Sequence, residues 1–179
     1  MLSSPLYVAV FTAMAVMARL ASLAISKRNE SRLRQRGGVE FDPRNTRWLA
    51  FAHTLYYLSA ALEGWARGTE PTALSLAGVG LWLLSMLALV LVIAELREFW
   101  TVKIIIAPTH QLRAGSLYRF FKHPNYLLNI GPELIGFALA MEAWATLVIG
   151  LPLYLSILLR RIRVEEAAMA KVFPGYGRS

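Results

Sequence analysis

The chain has no cysteine among its 179 residues. That excludes disulfides, thiolate metal sites and a cysteine nucleophile. Acidic residues are scarce, 11 Asp and Glu against 19 Lys and Arg, and there are only three histidines, so the formal net charge is +8. Also missing is the polarity of an ordinary soluble domain: 56% of residues are hydrophobic and mean hydropathy is +0.47. This length and apolarity predict one integral membrane domain, residues 1–179, with room for four to six spans of about 20 residues. The cations stand in short stretches between apolar runs rather than on one continuous basic face. They read as a positive-inside topology signal, not as a nucleic-acid surface.

The first apolar run, Leu6 to Ile25, has no basic n-region before it and no clear small-residue cleavage site before Lys27. It reads as a retained transmembrane helix. Arg19 inside it is expected to snorkel to the headgroups, the other reading being a polar site. Residues 27–47 carry seven Lys and Arg against Glu30, Glu40 and Asp42. That asymmetry makes them a cytoplasmic loop, expected to continue the helix and then return irregularly through Gly37-Gly38 and Asp42-Pro43.

Trp48 to Trp65 forms a second run with His53, Tyr56, Tyr57 and Glu63, and Ala73 to Ala94 forms an uncharged third. Gly78 and Gly80 in the third run fit close helix packing better than phosphate binding, since no strand precedes them. After a second basic stretch, Glu95 to Lys122, come two shorter runs, Tyr126 to Met141 and Trp144 to Leu159, separated only by Glu142-Ala143. They predict a tight helical hairpin, its first arm kinked at Gly131-Pro132. A charged helix from Arg160 should then leave the membrane. The expected fold is therefore all-α: five transmembrane helices, the last two a hairpin, then a cytoplasmic C-terminal helix, with the amino terminus outside.

Ionisable groups inside such a chain are the candidates for function. Three clusters fall on the basic side: His110, Gln111, Leu112, Arg113 and Tyr118; His123, Pro124, Asn125 and Tyr126; and Arg161 with Glu165. Arg161 and Glu165 share a helix face and can pair or grip opposite ends of a bound molecule. His123 stands at the mouth of a helix, where backbone N–H groups favour an anion. Glu133, beside Pro132, is a candidate for a substrate tunnel or for satisfying groups released by the kink. His53, Tyr56 and Glu63 could line the same tunnel.

Taken together, these spacings resemble the isoprenylcysteine carboxyl methyltransferase family. The resemblance covers residues 101–176: thirteen positions from His110 to His123, then His-Pro-x-Tyr, a short hairpin, Arg161 four before Glu165, and Phe173-Pro174-Gly175-Tyr176. It implies a cofactor-binding region at 101–179 behind three amino-terminal spans and a basic loop. It also implies S-adenosyl-L-methionine bound from the cytoplasm by His110, Gln111, Leu112, Arg113, Tyr118, His123, Pro124, Asn125, Tyr126 and Glu165, with no metal. Arg161 would contact the substrate, and Arg161, Glu165 and His123 are the expected catalytic residues; Glu133 is a further expected substrate contact from its place inside a span, not from the resemblance. The absence of a Rossmann-type glycine fingerprint agrees with a site built from helices and loops. Lys122 departs from the family, which has arginine there, while the Gly37-Gly38-Val39-Glu40-Phe41 stretch and Asn125 resemble the small bacterial branch.

The implied partner is a lipophilic or prenylated acceptor entering from a bilayer of membrane lipids. An isoprenylcysteine-type carboxylate is the leading acceptor, and a phenolic polyketide lipid the alternative. A carboxylate is already ionised near neutrality and needs only orientation, whereas a phenol, with an unperturbed pKa near 10, benefits from a base. A non-catalytic scaffold or transporter is the rival class. The sequence shows no internal repeat and its third span holds no polar midplane site, which disfavours transport.

Overall fold

The computed structural model describes residues 4–106, 120–121 and 123–172. The first helix, α1 (Ser4–Gln35), runs unbroken through the first apolar run and into the basic segment. Strand β1 (Val39–Phe41) follows, then α2 (Pro43–Arg67) and α3 (Ala73–Leu96). A 3₁₀ turn, Arg97–Phe99, leads to β2 (Ile104–Ile106). A π-helical turn, Asn125–Ile130, runs into α4 (Gly131–Ala140), and a second, Thr146–Gly150, into α5 (Leu151–Val172).

Local chemistry sets these boundaries. Asp42 caps α2 by accepting from the Asn45 N–H at 3.0 Å, with Pro43 in the first turn, where a missing N–H costs nothing. Gly68 ends α2 at φ 65°, and Thr72 caps α3 through the Ser75 N–H at 3.1 Å. The expected hairpin is present: after α4 the chain turns within Met141–Ala143, closed by the Ala143 N–H on the Ala138 carbonyl at 2.8 Å. Glu63 of α2 caps the next helix, accepting from the Ala145 and Thr146 N–H groups at 2.9 and 3.0 Å. It is a helix cap, not a tunnel wall.

The expected proline kink takes a specific form. Each π-helical turn ends just before a proline, Pro132 or Pro152. Proline lacks the donor for an ordinary turn and its ring collides with the carbonyl four residues back, so the helix widens there. At the first turn the Gly131 N–H bonds the Tyr126 carbonyl, five residues back.

The all-α expectation needs one correction. β1 and β2 pair antiparallel, Val39 with Ile106, Glu40 with Ile105 and Phe41 with Ile104, closing the basic segment expected to be irregular. Three-residue strands are too short to leave an alternating pattern in the sequence.

The central contact is α3 against α4. A Cβ on Gly78 would lie 2.3 Å from the Ala140 nitrogen, and one on Gly136 would lie 2.6 Å from the Trp82 nitrogen. Gly78 thus serves the close packing expected of it, while Gly80 faces open space. Around this crossing Phe11, Tyr57, Trp82, Leu134 and Phe137 form the core. The outer faces of α1, α2, α3 and α5 expose large apolar residues, among them Met17, Phe51, Leu84 and Leu153. Such a surface suits lipid, not water. Among the described residues, two helical stretches are long and apolar enough to cross a membrane, Ser4–Gln35 and Ala73–Phe99.

Candidate active site

Two polar centres lie on the inner face of α5. The first gathers residues from both ends of the hairpin. On α5, Leu153, Ile157, Arg161 and Glu165 recur every fourth residue and form one stripe. Arg161 is only 3% exposed, and its guanidinium donates in three directions. Nε reaches the Tyr126 hydroxyl at 3.4 Å, Nη1 the Thr46 hydroxyl at 2.9 Å and Nη2 the Val102 carbonyl at 2.5 Å. The Tyr126 hydroxyl in turn donates to the Glu165 carboxylate. Arg161 and Glu165 therefore act on one tyrosine rather than pairing directly.

His123 lies beside this chain. Its Nε2 is 3.0 Å from a Glu166 carboxylate oxygen, and its ring stacks on Tyr126 at 5.7 Å. Pro124 is fully buried behind them. The side-chain amide oxygen of Asn125, Oδ1, is buried and has no hydrogen-bond partner among the described residues. The first π turn begins at this point and re-aims the residues that follow His123.

The second centre sits deeper in the bundle. Glu133 is fully buried and accepts from Arg19 Nε and from the Tyr57 hydroxyl, each at 2.5 Å. His53 Nε2 approaches the same carboxylate at 3.5 Å, while its Nδ1 faces the Tyr154 hydroxyl at 3.3 Å. Arg19 thus pairs inside the bundle and does not snorkel. Its partner lies 114 positions away, so no local pattern could announce the pairing.

An apolar groove connects the α5 stripe to the outside. It encloses about 490 Å³ between α2 and α5, with Trp48, Phe51, Leu55, Leu153 and Ile157 on its walls and Tyr56 and Tyr154 beside them. Ile157 lies one turn, about 6 Å of helix, before Arg161. Tyr56, expected in a tunnel, lines this groove and donates its hydroxyl to the Leu134 carbonyl at 3.1 Å.

The structure thus brings His123, Pro124, Asn125, Tyr126, Arg161 and Glu165 into one region and sets Glu133 in a separate polar centre. His110, Gln111, Leu112, Arg113 and Tyr118 lie outside the described residues, as do Lys122 and Phe173 to Tyr176. The sequence did not single out Thr46, Val102 or Tyr154 as site residues. The first two contribute through tertiary contacts with α5, one of them a backbone carbonyl, and a tyrosine in an apolar run carries no distinguishing signal.

A helical bundle whose exterior suits lipid, with an apolar groove on its flank and a polar cluster one helical turn beyond the groove wall, is the architecture of a membrane protein. The chain belongs to the isoprenylcysteine carboxyl methyltransferase family, a family of membrane methyltransferases, whose sequence model matches residues 78–171, just over half the chain. It is 42% identical to an uncharacterized protein of Haemophilus influenzae over 87% of this chain and 91% of that one. It is also 26% identical to the uncharacterized protein YpbQ of Bacillus subtilis, over 88% of this chain and 93% of the relative. No solved structure matches.

Proposed function

We propose that the protein is an S-adenosyl-L-methionine-dependent O-methyltransferase whose lipophilic acceptor reaches the site from the bilayer through the groove between α2 and α5. The observation that carries this reading is the stripe on α5, which runs from the apolar groove wall at Leu153 and Ile157 to the polar chain Arg161–Tyr126–Glu165. Five spans, with the amino terminus outside and the site on the cytoplasmic side, complete the proposal.

The residues present fit the cofactor. S-adenosyl-L-methionine carries an ammonium, ribose hydroxyls and a carboxylate. The site offers the Glu165 and Glu166 carboxylates, His123 and the Asn125 Oδ1, which has no partner among the described residues. Pro124 and Tyr126 would bound it, and His110, Gln111, Leu112, Arg113 and Tyr118 are assigned to it from their family spacing. When bound, the cofactor supplies a methyl group activated by a sulfonium. The protein's part would be to align the acceptor oxygen and exclude water.

Two acceptors remain in view. An isoprenylcysteine-type carboxylate follows the family description, with Arg161 orienting it and Glu133 reached further along the bundle. A phenolic lipid is favoured by one specific feature: Arg161 is buried, with Nε, Nη1 and Nη2 already directed at protein acceptors, which limits its grip on a carboxylate. A phenol must lose its O–H proton as the new O–C bond forms, and on this reading His123 or Glu165 would accept it.

Transfer of radiolabelled methyl from the cofactor to a total lipid extract tests the proposal. A base-labile product identifies an ester, and a base-stable product an aryl ether or a methylated amine. Glu165→Ala should weaken cofactor binding by about tenfold or more, the scale of one charge-assisted hydrogen bond of about 1.5–3 kcal/mol. Unchanged affinity by calorimetry in detergent removes Glu165 from the cofactor site. Failure of the unaltered protein to bind cofactor in several detergents and lipids would favour the non-catalytic scaffold.

A further inference from the structure

A second recess, remote in sequence from the residues assigned to methyl transfer, lies where α1 passes the end of α3. It encloses about 450 Å³ and is lined by Ile25, Arg28, Asn29, Arg32, Arg97 and Glu98. Arg28 and Arg32 are one turn apart on α1 and share a face. Arg97, from the turn after α3, completes the basic lining. Among the described residues none of these three guanidiniums makes a salt bridge. Arg34, at the end of α1, and Arg36, in the turn that follows, are both engaged, with Glu30 and Glu40 and with Glu98 respectively. The Glu98 carboxylate within the recess is thus already matched by Arg36, at 3.0 Å.

The backbone holds this arrangement at a cost. Arg97 adopts φ 52° and ψ −118°, a conformation that L-residues rarely occupy. It is held there by Asn29, a buried side chain whose amide donates to the Arg97 carbonyl at 2.9 Å and the Trp100 carbonyl at 2.8 Å. The strained Arg97, clamped by a buried asparagine beside two arginines that make no salt bridge among the described residues, leaves three guanidiniums facing the recess. Three guanidinium forks suit the oxygens of a phosphate group.

Position selects the source of that phosphate. Ile25 ends the first apolar run and forms the lip of the recess, with Leu20, Leu23 and Ile25 exposed along the preceding turns. Arginines immediately beyond such a run lie at headgroup depth. We propose that Arg28, Arg32 and Arg97 form a binding site for the phosphodiester headgroup of an anionic phospholipid, whose acyl chains lie against the exposed face of α1. The proposal is independent of the methyltransferase reading.

The test is native mass spectrometry of the full-length protein in neutral detergent with phosphatidylglycerol or phosphatidylcholine added. Phosphatidylglycerol should bind at least tenfold tighter. Replacing the exposed pair, Arg28→Gln with Arg32→Gln, should weaken it about fivefold per arginine. Arg163→Gln with Lys171→Gln, the same charge change on exposed positions of α5, should leave it unchanged. Arg97→Gly should split two readouts: the melting temperature rises as strain is relieved, while phosphatidylglycerol binding falls. Glu98→Gln should tighten binding a few-fold. Equal binding of the two lipids, or full binding by the Arg28/Arg32 variant, overturns the site. Displacement of phosphatidylglycerol by millimolar inorganic phosphate as readily as by a short-chain phosphatidylglycerol would overturn the headgroup as ligand.

Discussion

At the scale of single residues, the buried carboxylate of Glu133 is the most exacting group in the bundle. It is fully enclosed and answered by Arg19 and Tyr57, with His53 nearby. A buried pair of this kind gains little over an apolar pair of the same shape, yet loses heavily when one partner is removed, because the other is left charged and unpaired. Glu133→Gln should therefore destabilise the protein by about 3–5 kcal/mol, and Arg19→Met by a similar amount. The double change, Arg19→Met with Glu133→Leu, should cost less than either alone. Denaturant unfolding in detergent micelles measures all three. A double variant as unstable as the sum of the singles would mean that the pair does not act as a unit. Tyr126→Phe probes the other centre, removing the hydroxyl that links Arg161 to Glu165 while leaving the ring that stacks on His123. Methyl transfer should fall at least tenfold with the melting temperature changed little.

At the scale of elements, the crossing of α3 and α4 depends on two glycines, because backbone meets backbone there. Gly78→Ala or Gly136→Ala forces a methyl group to within 3 Å of main-chain atoms and should cost about 1–3 kcal/mol or more. Gly80→Ala, with nothing within 4 Å, should be neutral or slightly stabilising. Thermal melts of the three variants in one detergent check the contrast. The same crossing shows what a sequence can announce. Long runs such as Ala73 to Ala94 stand out because their composition alone requires burial or lipid, and the Glu142-Ala143 interruption marks the hairpin for the same reason. Which of Gly78 and Gly80 meets another helix depends on how α3 is rotated, which neighbours decide. The site divides likewise. His123, Tyr126, Arg161 and Glu165 were legible because their spacing matches a family pattern. Thr46 and the Val102 carbonyl were not, since a hydroxyl or a backbone oxygen becomes a partner only after the chain has folded. The β1–β2 ribbon was hidden by its brevity, and the Arg19–Glu133 pairing by sequence distance.

At the scale of the whole molecule, the basic end of the bundle is stapled by charge. Lys103, just before β2, reaches Glu30 of α1 at 2.6 Å and Glu40 of β1 at 3.7 Å, and Arg34 bonds both carboxylates. Glu30 lies beyond Ile25, outside the first apolar run. Burial tends to raise its carboxyl, but hydrogen bonds from Lys103 and Arg34 outweigh that and hold it below the ordinary value of 4.5. A carboxyl lowered in the folded state contributes stability that is fully present above its unfolded value and is lost as pH falls through the folded one. The melting temperature should therefore decline below about pH 4.5, and Lys103→Met should reduce that decline. This staple belongs on the side of the membrane where the basic loops lie, and the chain's lack of cysteine offers a direct way to locate it. With no native thiol to react, one introduced cysteine is the sole target of a membrane-impermeant maleimide. Arg36, in the turn just after α1, and Glu70, between α2 and α3, are both exposed and separated by a single helix. If α2 crosses the bilayer with the basic loop inside, Glu70→Cys is labelled on intact cells and Arg36→Cys only after the membrane is opened. Labelling of both from one side would mean that α2 does not cross. The alternation of basic and neutral loops would then need another cause, and the groove between α2 and α5 could no longer open into lipid.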